Sequence, residues 1–340
     1  MKKGIALLLA LVLVLSALSG CAKEKPAETP EPTASAEPEA AAKEDKTPDY
    51  DPADITPAMW RVTDTDGHTM YLFGTIHVGD GRSDTVLEKI APTMDACDAL
   101  ALEFDLNEYE SDLEMQMQTV MTFLITDDGD VTDVIPADLF EEVKGLLTEA
   151  GVFNEALQHY NARFWSTLTD QAVMMLYSDL SPDNAMDSKL CARAYDNEQP
   201  VRSVETAQEQ YDLLNSMSDD LAITSMRDTL SVKDTYGESL MEMYELWLSG
   251  DTDALWAFIE TEDEPDPEEY SPELIAEAEA FNKAMTEDRN DGMLVKAEEY
   301  LASGETVFFA VGAAHMLGAH GLVQLLTDAG YTVERFDYEA

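Results

Sequence analysis

The chain has 340 residues, 45% of them apolar and 8% aromatic, with 70 Asp and Glu against 20 Lys and Arg for a formal net charge of −50. Phosphate binding needs clustered cations and no window supplies a basic stripe, so nucleic acid is excluded as a partner. The same charge repels anionic lipid heads, so membrane attachment must come from something other than electrostatics, while the apolar share suffices for a sizeable core.

The N-terminus supplies an attachment. Lys2 and Lys3 precede an apolar run from Ile5 to Leu15, and Leu18-Ser19-Gly20-Cys21 follows directly. The run is too short to span a bilayer comfortably, and it reads as a lipoprotein signal over residues 1–20 with Cys21 as the lipidated residue. Residues 21–55 are rich in Pro, Ala, Glu and Thr without an apolar period, and read as the lipidated Cys and a disordered tether. Residues 56–340 form the folded domain. The expected location is the cell membrane, lipid-anchored and extracytoplasmic.

The domain opens with short strands at Met59–Thr63 and His68–Phe73 around the turn Asp64-Thr65-Asp66-Gly67, a β-hairpin. A helix near Ser83–Ile90 and a buried strand at Ala99–Phe104 follow. The middle is helical: Leu113, Met117, Met121 and Leu124 recur at helical spacing, as do Trp165, Leu168, Ala172 and Met175, and Leu240, Met243, Tyr244, Trp247 and Leu248. These stripes are read as packing faces. A strand at Pro200–Val204 interrupts them. A helix containing Arg289–Leu301, a strand at Thr306–Val311, a helix at Leu322–Asp328 and a last strand at Tyr331–Arg335 complete the chain. The order predicts an α/β fold, a single central sheet built from both ends of the chain with a helical insertion. Cys97 and Cys191 are expected as two separate buried thiols, too few for a disulfide scaffold or a zinc-thiolate cluster.

Two of the five histidines share a context. His77 ends Tyr71-Leu72-Phe73-Gly74-Thr75-Ile76-His77, and His315 ends Phe308-Phe309-Ala310-Val311-Gly312-Ala313-Ala314-His315. Each is an apolar strand followed by Gly-x-x-His. The carboxyl edge of an α/β sheet is where ligands bind, and Gly74 and Gly312 would let the backbone turn tightly there. Two imidazoles delivered in this way suit one metal ion or an acid–base pair. Glu103 and Glu205 each close an apolar strand and would reach the same edge. Arg289, a scarce cation beside Asn290 at a helix start, would pair with a carboxylate or hold a substrate anion. His68, His159 and His320 are read as outside the site, although His320 follows the His315 loop.

Together with Met186-Asp187-Ser188-Lys189-Leu190, Val204-Glu205-Thr206, Arg289-Asn290-Asp291-Gly292-Met293 and Gly330-Tyr331-Thr332-Val333, these segments resemble the TraB/PrgY/GumN family from about Trp60 to Arg335. The resemblance implies an α/β domain of the erythromycin esterase/ChaN-like type. It also implies kinship with the TIKI proteins, membrane-associated metalloproteases that use manganese or cobalt. Carried over, His77 and His315 become metal ligands and Glu103 a carboxylate ligand or general base. Arg289 is then catalytic, and Gly74, Gly312, Glu205 and Asn290 are supporting residues.

Two imidazoles plus carboxylate oxygen suit a borderline divalent ion such as Mn, Co, Zn or Fe, and the resemblance to the TIKI proteins implies Mn or Co foremost. The chain has no Gly-x-Ser-x-Gly elbow and no HExxH. The expected function is therefore a lipid-anchored, metal-dependent hydrolase, a peptidase acting on peptides or proteins. The alternative is a non-catalytic peptide- or pheromone-binding envelope lipoprotein.

Overall fold

The structure is a computed structural model that describes residues 47–262 and 270–336. The signal segment 1–20, Cys21 and residues 22–46 of the expected tether lie outside the described residues. Its last stretch, residues 47–55, runs along the domain surface. Thr47 Oγ1 accepts from the Gly81 N–H at 2.7 Å, Tyr50 bonds Thr85 at 2.8 Å, Lys89 donates to the Ile55 carbonyl at 2.6 Å, and Ile55 is buried.

In chain order the elements are β1 (Met59–Thr63), β2 (Thr69–Thr75), α1 (Arg82–Asp95), β3 (Ala99–Leu102), α2 (Leu106–Ser111), α3 (Leu113–Met121), α4 (Ala137–Glu149), α5 (Ala162–Tyr177), α6 (Met186–Asp196), β4 (Val201–Ser203), α7 (Ala207–Leu214), α8 (Asp219–Ser249), α9 (Thr252–Glu262), α10 (Pro272–Met285), α11 (Glu287–Ser303), β5 (Val307–Gly312), α12 (Ala313–Met316), α13 (Leu322–Asp328) and β6 (Thr332–Arg335). The expected hairpin forms around Gly67, whose φ of 89° favours a residue without a Cβ. The six strands make one mixed sheet in the order β4-β3-β5-β2-β1-β6. β2, β5, β3 and β4 are mutually parallel neighbours, and β1 is antiparallel to both β2 and β6. The sheet is thus drawn from both ends of the chain.

Two apolar cores hold the fold. The first packs the sheet, where all six residues of β5 are buried, against α1, α6, α11 and the C-terminal half of α8. Phe308 and Phe309 are fully buried, each removal from water contributing about 1.5–3 kcal/mol. The second lies within the helical insertion around Phe123, Phe164, Trp165 and Tyr211. Helix α8 serves both cores. Ser218 caps its N-terminus by accepting from the Leu221 N–H, and Gly250 ends it at φ 71°.

One packing expectation is corrected. Leu113, Met117 and Met121 are 58%, 56% and 58% exposed. Helix α3 is only nine residues long and buries the opposite face, Gln116, Thr119 and Val120. Gln116 donates to the Tyr109 and Glu110 carbonyls at 2.9 and 2.8 Å, and Tyr109 and Thr119 share a 2.8 Å hydroxyl bond. Hydrogen bonding of the polar face therefore outweighed burial of the methionines. The other two stripes are buried except for Met175, which is half-buried, and Cys97 and Cys191 are buried and unbridged. Among the described residues no helix is long and apolar enough to cross a membrane.

Candidate functional site

The parallel register delivers the candidate residues to one edge. Thr75 is opposite Gly312 in the β2–β5 pair, and Leu102 is opposite Ser203 in the β3–β4 pair. His77, Glu103 and Glu205 follow their strands by one or two residues, and His315 sits in α12 three residues past Gly312. All lie at the carboxyl ends of the four parallel strands, where an open α/β sheet presents its crevice.

Each histidine is held through Nδ1. His77 Nδ1 donates to Asp187 Oδ2 at 2.8 Å, and the Thr75 hydroxyl donates to Asp187 Oδ1 at 2.6 Å. His315 Nδ1 donates to Asn290 Oδ1 at 2.7 Å, while Asn290 Nδ2 donates to the His320 carbonyl at 2.7 Å. That second bond fixes the amide orientation and hence the imidazole tautomer. Both rings therefore turn Nε2 toward the site, the arrangement in which a partner behind a histidine orients it for a metal.

Gly312 marks the point of convergence. A Cβ built on it would lie 3.3 Å from Glu103 Oε1, 3.5 Å from the His315 ring and 3.8 Å from His77 Nε2. Its φ is −46°, so the glycine is needed for space and not for a left-handed turn. Gly74 likewise lies within extended β2, and its Cβ would meet Ala313 Cα at 2.9 Å. The expected reason for both glycines, a tight turn, is corrected to close approach.

Glu103 is fixed from three sides. Oε1 accepts the Gly312 N–H at 2.9 Å, and Oε2 accepts from Arg289 and from Gln210, both at 2.8 Å. Arg289 also donates through Nε to Glu205 Oε2 at 3.1 Å and through a terminal nitrogen to Glu205 Oε1, and Gln210 bonds Glu205 at 2.7 Å. One guanidinium and one amide thus bridge two mostly buried carboxylates.

This field separates the titrating groups. Burial disfavours the charged form of His77, but the facing Asp187 carboxylate overcomes it and raises the pKa to about 9. Burial and the nearby Arg289 lower His315 to about 3, so it is neutral. Burial works against ionising Glu103, yet Arg289 above all holds it well below the usual carboxylate range. Burial raises Glu205.

A divalent ion fits this donor set in kind. The His77 and His315 Nε2 atoms and Glu103 Oε1, which keeps a lone pair beyond its one hydrogen bond, face a common space. His315 Nε2 lies 4.0 Å from Glu103 Oε1. One ion about 2.1 Å from each ligand spans at most about 4.2 Å, so the two can share it. Among the described residues no group of three or more His, Cys, Asp or Glu is already spaced to hold a metal.

Residues 58–335 match the family model described as the TraB/PrgY/gumN family. The chain belongs to the TraB/PrgY/gumN family. No curated protein and no solved structure matches it.

In this TraB/PrgY/gumN chain the structure brings together His77, His315, Glu103, Glu205, Arg289, Asn290, Gly74 and Gly312. His68 and His159 stay apart: His68 Nδ1 pairs with Asp64 at 2.7 Å beside the hairpin turn, and His159 ends a short 3-10 helix. His320 contributes its carbonyl, not its ring. Two residues that the sequence reading did not assign take part. Asp187 lies in the first turn of α6, in a segment read only as part of the resemblance, and Gln210 lies in α7, five residues past Glu205. The signal for Gln210 was the i+5 spacing from a strand-ending acid. Asp187 had none, because 110 residues separate it from His77.

A cavity of about 70 Å³ adjoins this cluster. His77, His315 and Arg289 line one part, and Asp170, Met174, Tyr236, Leu240 and Met243 line the walls contributed by α5 and α8.

Proposed function

We propose that the protein is a metal-dependent hydrolase, a peptidase acting on peptides or proteins outside the cytoplasm, held to the membrane by lipid on Cys21. The observation that carries this reading is the convergence of two back-bonded imidazoles and the Glu103 carboxylate around Gly312. His77, His315 and Glu103 would hold the ion, Mn or Co foremost and Zn or Fe compatible, which when bound supplies an acidified water and a Lewis acid for a peptide carbonyl.

The chain's own residues supply the rest. Asp187 and Asn290 keep both Nδ1 atoms protonated, which leaves Nε2 as the only donor each ring can offer a cation, on His77 after loss of its Nε2 proton. Glu103 stays ionised and suits a ligand. Glu205, raised by burial, is the better proton acceptor of the pair. Arg289 balances both carboxylates and faces the cavity, where its remaining hydrogen-bonding capacity can stabilise developing negative charge. The apolar lining keeps water scarce around the reacting atoms and strengthens these interactions.

One observation favours a second reading, a non-catalytic peptide- or pheromone-binding envelope lipoprotein. Both oxygens of Glu103 are already hydrogen-bonded, as in a fixed structural network. Incubating the purified protein with Mn²⁺ or Co²⁺ and an internally quenched peptide library separates the two. Cleavage that needs the ion and disappears in Glu103→Gln, with circular dichroism unchanged, supports the hydrolase. Stoichiometric peptide retention without cleavage, surviving EDTA, supports the binding protein and refutes the hydrolase.

A further inference from the structure

The α5 and α8 walls of the cavity are mostly apolar, with Gln171 and Tyr236 as neutral polar members and Asp170 as the one acid. Asp170 is 7% exposed and lines the same cavity as His77, His315 and Arg289. Its Oδ1 accepts the Thr229 hydroxyl, and among the described residues no Lys or Arg is paired with it. Of the cationic side chains lining the cavity, Arg289 is committed to Glu103 and Glu205, and His77 to Asp187. A buried carboxylate ordinarily has a charged partner or several donors, because desolvating an unpaired charge is expensive. Here one hydroxyl serves, and burial pushes the Asp170 pKa up to about 7.

We propose that this part of the cavity is a subsite for a cationic group of the substrate, an ammonium or guanidinium, which Asp170 receives. The inference rests on the reading that the cavity takes a peptide. Met174, Leu240 and Met243 form an unbranched-to-branched apolar lining of the kind that accommodates an aliphatic stem while its charged head finds a partner. The cation would supply the counter-charge that Asp170 lacks. A protein of net charge −50 also concentrates cationic ligands at its surface and speeds their arrival. The same chemistry is offered by a Lys or Arg side chain and by a peptide α-amine.

Titration calorimetry on the EDTA-treated protein at pH 8 tests the subsite without metal or turnover. The probes are n-butylamine, its neutral isostere n-butanol, Nα-acetyl-lysine methylamide for a side-chain cation, and leucine methylamide for an α-amine. Wild type is expected to bind n-butylamine at least tenfold tighter than n-butanol, and Asp170→Asn to lose that preference while still binding n-butanol. Whichever amide probe binds with the same Asp170 dependence identifies the source of the cation. Equal binding of n-butylamine and n-butanol by wild type, or an unchanged preference in Asp170→Asn, overturns the proposal. Should Asp170→Asn not fold, Asp170→Ser, which removes the charge with a smaller polar side chain, takes its place with the same expected loss of preference, and an unchanged preference overturns the proposal. Loss of metal-dependent cleavage with the cation preference intact would instead count against the hydrolase reading alone.

Discussion

Replacing Arg289 by Met keeps the aliphatic stem and removes the charge that Glu103 and Glu205 share. Their side chains are 12% and 14% exposed and Arg289 is 13% exposed, so little solvent is at hand to take over its role. Three hydrogen bonds to carboxylate oxygen disappear, and Gln210 alone remains between two anions. Breaking a buried ion pair from one side costs about 3–5 kcal/mol, because the other side stays charged and unpaired. With a urea dependence of about 3 kcal/mol per molar, the midpoint should fall by about 1–2 M at pH 7. The sign with pH follows from the shifts. In wild type Glu103 is held low, so its contribution is present above the unfolded value and fades as pH falls. In Arg289→Met burial raises both carboxylates, so they protonate on mild acidification and the deficit shrinks between pH 7 and pH 4.5. Urea unfolding followed by far-ultraviolet circular dichroism at the two pH values measures this. A midpoint loss below 0.3 M at pH 7, or a deficit that grows on acidification, refutes the argument that Arg289 neutralises the pair.

Asp187→Asn keeps an acceptor for His77 but removes the charge, so the His77 pKa should fall from about 9 to below 7 in a nitrogen-detected NMR titration, and metal affinity should fall about 10- to 100-fold; an unchanged pKa would contradict Asp187 as its cause. Asp170 has a raised folded-state pKa, so its contribution to stability is fully present below about pH 4 and lost as pH rises through about 7. Asp170→Asn cannot ionise, and its stability relative to wild type should rise across that window by up to about 4 kcal/mol in urea unfolding, with no rise counting against a costly buried charge. Gly74→Ala places a Cβ 2.9 Å from Ala313 Cα, a backbone atom, and should destabilise by about 1–3 kcal/mol. Gly312→Ala meets the Glu103 side chain at 3.3 Å and should cost about 1 kcal/mol or less; a reversed order in thermal unfolding would show that Ala313 yields more readily than Glu103.

The sheet was legible in the sequence because its strands are short, apolar and bounded by turn residues. The parallel edge followed from two Gly-x-x-His segments at matching strand ends, and the register sets Thr75 beside Gly312. Helix α3 was misread because period alone cannot say which face of a short helix is buried. Met117 and Met121 face out while Gln116 and Thr119 satisfy backbone and hydroxyl partners. In the site, the residues at strand ends were found, since local pattern marks them. Asp187 was missed because it acts across the fold from a helix whose own sequence carries no distinguishing pattern, and Gln210 because only its spacing from Glu205 marked it. Asp170 went unassigned because no local pattern marks it: it is one acid among the eleven consecutive buried positions Phe164–Met174 of α5.

The central claim is that His77 and His315 serve one ion. Metal content and Mn²⁺ and Co²⁺ affinity of the purified protein, compared with His77→Ala and His315→Ala after circular dichroism has shown all three folded, test it most directly. The account predicts one tightly held ion per chain in wild type and its loss in both variants. No specific ion in wild type, or equal binding in the variants, would contradict it.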